Sequence, residues 1–196
     1  MTLKKFKKSA IWACSGLLVS LFSGLIPLND NLCNLNTSTV VYAERRVFND
    51  KCINSTIYNK ETKTLTIPDG FTEIRLFNPK DRYPDLETVN IPASVEIIGA
   101  GVFCDCAKLT KVNIAPGSKL KIIEMAAFEL CSSLKTINLP ESVEKIGRSV
   151  FHGCSSLENI NIPNNVHTIG EMAFKDCTAL ETIFIPGSCK KIGKDC

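Results

Sequence analysis

The chain has 196 residues, 44% hydrophobic and 22% charged, with a formal net charge of +3. That is a globular composition, with length for one domain and a small appendage. Of the 23 basic and 20 acidic residues, Lys4, Lys5, Lys7, Lys8 and Asp30 lie within residues 1–43, leaving 19 of each sign in the remainder. The basic excess belongs to the leader, and the balance gives no sign of a nucleic-acid-binding face.

Residues 1–43 read as a signal peptide. A basic start at Lys4-Lys5-Phe6-Lys7-Lys8 precedes an apolar stretch from Ala10 to Pro27. Val41-Tyr42-Ala43 then offers small residues at the positions a signal peptidase reads. An uncleaved anchor is the alternative, because about 17–25 apolar residues span a bilayer and this run is borderline. No second hydrophobic run is long enough to cross a membrane, so no membrane insertion is expected after cleavage.

Residues 44–85 form an expected N-terminal cap that includes a partial first coil. Ile53 to Tyr58 alternates, Asn59-Lys60-Glu61-Thr62 breaks the alternation, and Thr64 to Ile67 resumes it. Alternation, polar turn and alternation predict a β-hairpin. Leu65, Ile67, Pro68 and Ile74 already match Val89, Ile91, Pro92 and Ile98 further on.

From Leu86 a phrase recurs: L-x-x-(I/V)-x-(I/L)-P-x-x-V-x-x-I-G-x-x-A-F-x-x-C. Its opening leucines are Leu86, Leu109, Leu134, Leu157 and Leu180, at spacings of 23, 25, 23 and 23. A fixed period in this range means a solenoid, and stacked repeats make extended recognition faces rather than one deep pocket. Thr88 to Ile91 suits a strand, and Pro92 ends it because proline has no ladder N–H. Val95 to Ile98 is a second short extended piece. Gly99, Gly147, Gly170 and Gly193 permit a turn that a Cβ would hinder, although Glu124 fills this slot in the second copy. The Ala-Phe-x-x-Cys tail is too short for a free-standing helix and is expected to make a single turn. Phe103, Phe128, Phe151 and Phe174 should form one buried column.

The phrase resembles the BspA-like leucine-rich repeats of secreted and cell-surface proteins, over about residues 65–196. The resemblance implies a curved solenoid with a parallel sheet built from the L-x-x-I-x-I segments. The fold expected is thus a leucine-rich-repeat solenoid with a parallel β-sheet on one side. Short extended segments and single helical turns should occupy the other, with the hairpin as cap. Several family members are linked to adhesion, commonly to host or matrix proteins, which implies a protein or glycan partner here.

Residues 86–196 hold four full repeats and a fifth that stops at Cys196 before its Phe and Cys. The chain is therefore expected to be the amino-terminal piece of a longer protein. The second repeat carries two extra residues around Ala115-Pro116-Gly117-Ser118, an expected protruding loop.

Cys106, Cys131, Cys154 and Cys177 share one repeat position. Metal binding needs ligands converging on a point, whereas these stand one per coil with parallel Cβ vectors, so reduced, buried thiols are expected. Cys189 takes the slot of Val95, Val143 and Val166, in keeping with that reading. Cys52 and Cys104 fall outside the column and are left open to pairing or reaction. His152 lies two residues before Cys154, but the register points Cys154 inward and His152 outward, against a Cys/His dyad. With no G-x-S-x-G, phosphate-binding glycine loop or H-E-x-x-H, neither an enzyme nor a cofactor is expected.

The candidate ligand face is the exposed side of the sheet. It comprises Thr88, Asn90, Lys111, Asn113, Thr136, Asn138, Asn159, Asn161, Thr182 and Phe184. Its asparagines can also bond to one another as a stabilising ladder, so a structural and a functional reading stand side by side. Ile97 and Ile122 make a possible small apolar patch, and Tyr83 is expected to pack on the first coil. The function expected is a secreted or cell-surface protein binding a protein or glycan, adhesin-like. The alternatives are a structural spacer, or the front of a larger surface protein or enzyme.

Overall fold

The computed structural model describes residues 46–49, 52 and 57–196. The leader, and residues 53–56 of the expected hairpin, lie outside them. The cap contributes β1 (Val47–Phe48), β2 (Tyr58–Asn59), β3 (Thr64–Thr66), β4 (Glu73–Ile74) and a four-residue helix α1 (Pro79–Arg82). The next four coils each add two strands: β5 (Thr88–Ile91) and β6 (Ile97–Ile98), then β7 (Lys111–Ile114) and β8 (Ile122–Ile123). They continue with β9 (Thr136–Asn138) and β10 (Lys145–Ile146), and β11 (Asn159–Asn161) and β12 (Thr168–Ile169). The final coil adds β13 (Lys191–Ile192).

These strands make two ladders. A six-stranded sheet runs β11-β9-β7-β5-β3-β2, and a seven-stranded sheet runs β1-β4-β6-β8-β10-β12-β13. All pairings are parallel except β2 with β3, where Tyr58 faces Leu65 and Asn59 faces Thr64 in the expected hairpin. The Asn59 Oδ1 accepts the amides of Glu61 and Thr62, which closes the turn. The short extended pieces of each repeat are thus a second parallel sheet in their own right. Proline marks the end of β5 at Ile91, and β7 ends at the same register at Ile114 although Ala115 stands in the proline slot.

The core is a set of columns, one residue per coil. Phe103, Phe128, Phe151 and Phe174 stack with centroids 5.3, 5.7 and 5.6 Å apart and planes within 13° of parallel. The cap terminates this stack with edges. Phe77 meets Phe103 at 84°, and Phe48 meets Phe77 and Phe71 at 73° and 81°. Edge-to-face contact suits a column end, because a ring edge is positive and a ring face negative. Tyr83 stacks on Tyr58 at 4.0 Å, and the Tyr58 hydroxyl donates to Asp85 at 2.6 Å, so Tyr83 does pack on the first coil.

The third side of each coil is a run of tight turns rather than a helix. Here the amides of Gly101, Phe103 and Asp105 donate to the carbonyls of Met125, Ala127 and Glu129 at 2.7–2.9 Å. Ala126, Phe128 and Leu130 repeat this onto Arg148, Val150 and His152, and Ser149, Phe151 and Gly153 onto Glu171, Ala173 and Lys175. Every donor points toward the following coil, unlike a β-ladder, whose bonds run both ways. The geometry needs left-handed residues, and they are mostly not glycine: Ala126 (58°), Leu130 (60°), Ser149 (54°), Met172 (54°) and Asp176 (60°).

The glycine column does a different job from the turn expected of it. Positive φ falls two positions later, at Gly101 and its equivalents Ala126, Ser149 and Met172. A Cβ at Gly147 would sit 2.8 Å from the Glu124 carbonyl carbon, and one at Gly170 would sit 2.4 Å from the Arg148 nitrogen. Glycine is there because one backbone rides on the next. Arg75 and Glu124 replace it in the cap and second coil and form a clamp across Gly99. The Arg75 guanidinium donates to both Glu124 oxygens at 2.7 and 2.8 Å, and also to Glu73. That hydrogen bonding holds the Glu124 carboxyl below its usual range.

A second polar tie crosses three coils. His152 Nδ1 lies 2.8 Å from Glu129 Oε1, and its Nε2 lies 3.1 Å from Asp176 Oδ2. A neutral imidazole would aim one lone pair at a carboxylate, so the arrangement suits the imidazolium, which donates from both nitrogens. The Glu129 contact, followed by Asp176, raises the His152 pKa above its ordinary value. His152 is therefore half-buried rather than exposed, while His167 is exposed.

Gly147→Ala should cost about 3 kcal/mol, because the methyl group strikes backbone that cannot move aside. Gly101→Ala should cost about 1 kcal/mol, because only the left-handed conformation opposes it and its surroundings are open. Urea denaturation of the two variants measures the order, and an equal loss would contradict it. For His152, a raised folded pKa means the stabilisation is complete below about pH 6.5 and fades as pH rises through the folded value. The stability gap between the wild type and His152→Gln, up to about 1 kcal/mol, should therefore be larger at about pH 6 than at about pH 9 in thermal melts.

Candidate functional site

Alternation along the six-stranded sheet buries Val89, Val112 and Ile137 and turns the residues between them to solvent. The parallel register then lines up Thr88 with Lys111, and Lys111 with Thr136. Thr136 lies beside Asn159, Asn90 beside Asn113, and Asn138 beside Asn161. Eight of the ten expected face residues are thus brought together on β5, β7, β9 and β11. Thr182 and Phe184 are not, since residues 181–186 belong to no strand. Phe184 is nonetheless 77% exposed, among the most exposed large apolar side chains described.

The asparagines divide into two kinds. Asn113 Nδ2 donates to Asn90 Oδ1 at 2.8 Å, and Asn90 Nδ2 donates to Thr66 Oγ1 at 3.0 Å. Asn161 turns to backbone instead. Its Nδ2 donates to the Leu139 carbonyl and its Oδ1 accepts the Leu139 amide, both at 2.8 Å. The expected ladder is therefore real but short, confined to the cap and the first two coils. Thr136, Asn138 and Asn159 are exposed and make no side-chain hydrogen bond among the described residues. They form a neutral patch whose donors and acceptors face water. Ile97 and Ile122 are half-buried rather than an open apolar patch.

The cysteine column has a structural task. Cys131 Sγ donates to the Phe103 carbonyl at 3.1 Å, Cys154 to Phe128 at 3.2 Å, and Cys177 to Phe151 at 3.1 Å. Each thiol reaches back to the phenylalanine of the preceding coil. Burial pushes Cys106 and Cys154 up to about 12 and Cys177 up to about 11, so all three stay protonated at neutral pH. All eight cysteines among the described residues are free. Cys52 is buried, with its thiol near the Val47 carbonyl and Asn49. Cys104 is half-exposed, with its pKa raised by burial and then by Glu129, the opposite of an activated thiolate. Cys154 and His152 have separate partners and form no dyad. Among the described residues, no group of three His, Cys, Asp or Glu side chains is placed to hold a metal ion. No helix among them is long and apolar enough to cross a membrane.

One surface feature escaped the residue-by-residue reading. Between the inward Val and Ile of the V-x-x-I segments, both intervening residues face out from the seven-stranded sheet. In the last four coils half of them are lysine: Lys121, Lys145, Lys190 and Lys191. Reading the two x positions as adjacent columns would have exposed this from the sequence.

Residues 81–196 match the family described as BspA type leucine rich repeat region, in six copies. No curated protein matches the chain. Among solved structures, a leucine-rich repeat protein of T. pallidum is similar at 30% identity, over 66% of this chain and 68% of that one, with a TM-score of 0.56. A protein of Faecalibacterium prausnitzii described as a leucine rich cell surface protein is 28% identical, over 71% of this chain, with a TM-score of 0.49. A leucine-rich repeat protein of Eubacterium ventriosum is 24% identical, over 70% of this chain, with a TM-score of 0.52. The chain spans 48% and 46% of the last two, about half their length. Repeat phrase, in-register coils and family match agree: the chain belongs to the BspA-type leucine-rich-repeat family.

Proposed function

We propose that this is a secreted or cell-surface recognition protein that binds a protein or glycan, adhesin-like, through the exposed face of its six-stranded sheet. The observation that carries the reading is the neutral patch of Thr136, Asn138 and Asn159. Their polar atoms have no internal partner, on a sheet whose other asparagines do. A fold that needed these amides only for its own stability would tie them as it ties Asn90 and Asn113. The leader supplies the route out of the cell. Lys111 adds one positive charge to the face, and Phe184 supplies an exposed apolar element beyond its end.

The Asn90–Asn113 ladder favours a narrower reading for the front of the sheet, where the same residue type serves as scaffold. That half of the face acts as a spacer, and the ligand-facing half begins at β9.

Surface plasmon resonance of the purified chain against a panel of matrix proteins and glycans tests the reading. Saturable binding to one of them is expected. The triple variant Thr136→Ala, Asn138→Ala and Asn159→Ala should weaken it about tenfold, or about 1.4 kcal/mol, with the unfolding midpoint unchanged. Asn90→Ala should instead lower the midpoint and leave affinity alone. Absence of saturable binding across the panel would leave the spacer role standing in its place.

A further inference from the structure

The seven-stranded sheet presents a second face with a different chemistry. In the inner V-x-x-I segments the Val and Ile turn inward, as Val143 with Ile146 and Val166 with Ile169 show, while Ile192 of the last coil is exposed. The two residues between them stand outside in adjacent columns. Over the last four coils those columns hold Lys121 with Ile122, Glu144 with Lys145, His167 with Thr168, and Lys190 with Lys191. Lys145 lies in register between Ile122 and Thr168, and Thr168 lies beside Lys191. Four lysines thus share these coils with one carboxylate of the strip, Glu144, while Glu96 stands beside Lys121 one coil earlier and Glu124 lies near Lys145. None of the four has an ion-pair partner among the described residues. His167 donates from Nδ1 to the Glu144 carbonyl at 2.6 Å, which leaves its other nitrogen to solvent.

The chain beyond its leader is electrically balanced, so this local excess reflects placement. Coils repeat at about 4.8 Å, which puts Lys145 and Lys191, two coils apart, about 10 Å from each other. That is about one Debye length at 0.1 M salt, so the lysines feel one another's charge. A linear ligand carrying anions along its length would relieve that repulsion and release its own counterions.

We propose that this face binds an acidic polysaccharide, a linear glycan bearing carboxylate or sulfate groups. Lysine ammonium groups on a flat ladder read negative charge as point donors. A nucleic-acid strand fits less well, because the strip holds no Phe, Tyr or Trp, and its one imidazole, His167, does not make a series of platforms on which successive bases would stack. The face is separate from the six-stranded sheet, so this proposal stands or falls independently of the one above.

The test is salt elution of the full chain from immobilised heparin, a sulfated glycan. The wild type should be retained. Lys145→Glu with Lys191→Glu should elute at markedly lower salt, with at least a tenfold loss of affinity and a shallower dependence of log K on log salt. Lys108→Glu with Lys175→Glu changes net charge equally but lies in turns outside both sheets, and should elute with the wild type. All these side chains are exposed, so unfolding midpoints should stay unchanged and any loss can be assigned to the surface. Equal shifts for both double variants would show that net charge alone governs retention, and would overturn the proposal. So would absence of retention of the wild type, or displacement by single-stranded DNA at lower charge-equivalent concentration than by free heparin.

Discussion

Close approach of one backbone to the next, on every side of the coil, is the constraint from which the rest of the structure follows. Two sides meet it with parallel β-ladders and the third with amides that all point toward the following coil. At this separation a position repeated in sequence becomes a column in space, and each column admits few side chains. A flat ring fits over another ring, so phenylalanine recurs. Where backbone lies directly on backbone there is no room for a Cβ, so glycine recurs at 147, 170 and 193. A small thiol can be buried and still offer its hydrogen to a carbonyl, so cysteine recurs.

Columns of this kind are legible in a sequence because spacing alone defines them. The phenylalanine stack, the inward Val and Ile positions and the buried cysteines all follow from counting in steps of the repeat. The third side was not legible, and the reason is specific. Left-handed backbone normally announces itself by glycine, asparagine or aspartate. Here it is carried by Ala126, Leu130, Ser149 and Met172 as well, residues that give no local signal. Their conformation is imposed by the ladder bonds to the neighbouring coil, each of which offsets part of a strain of about 1–2 kcal/mol per residue. The glycine column misled for the mirror reason: its absence of a side chain answers a contact from another coil, and a turn residue was the nearer local explanation.

Legibility of the candidate face was divided in the same way. Alternation placed Thr88 to Asn161 on one exposed side, and the register confirms that they adjoin. Whether each amide is occupied depends on small differences in its neighbours. Asn90 has Thr66 and Asn113 within reach, while Asn161 finds a backbone peptide at Leu139. Asn138 occupies the same repeat position and finds neither. Identical letters therefore carry different duties, and only the pairings separate them.

Exceptions to the columns are most informative where they come in pairs. Glu124 breaks the glycine rule, but Arg75 breaks it too, two coils earlier, and the two reach across Gly99 to each other. His152 sits between Glu129 and Asp176 in the same spirit. Such pairs are internal business and remove their residues from contact with a partner. The lysines at 121, 145, 190 and 191 also occupy variable positions, yet none of them closes an ion pair among the described residues. In a solenoid whose recurrent columns face inward, a charge or amide without an internal answer is what remains to be used by something outside. That criterion selects Thr136, Asn138 and Asn159 on one sheet and the lysine strip on the other, and it passes over the more conspicuous cysteines and histidines.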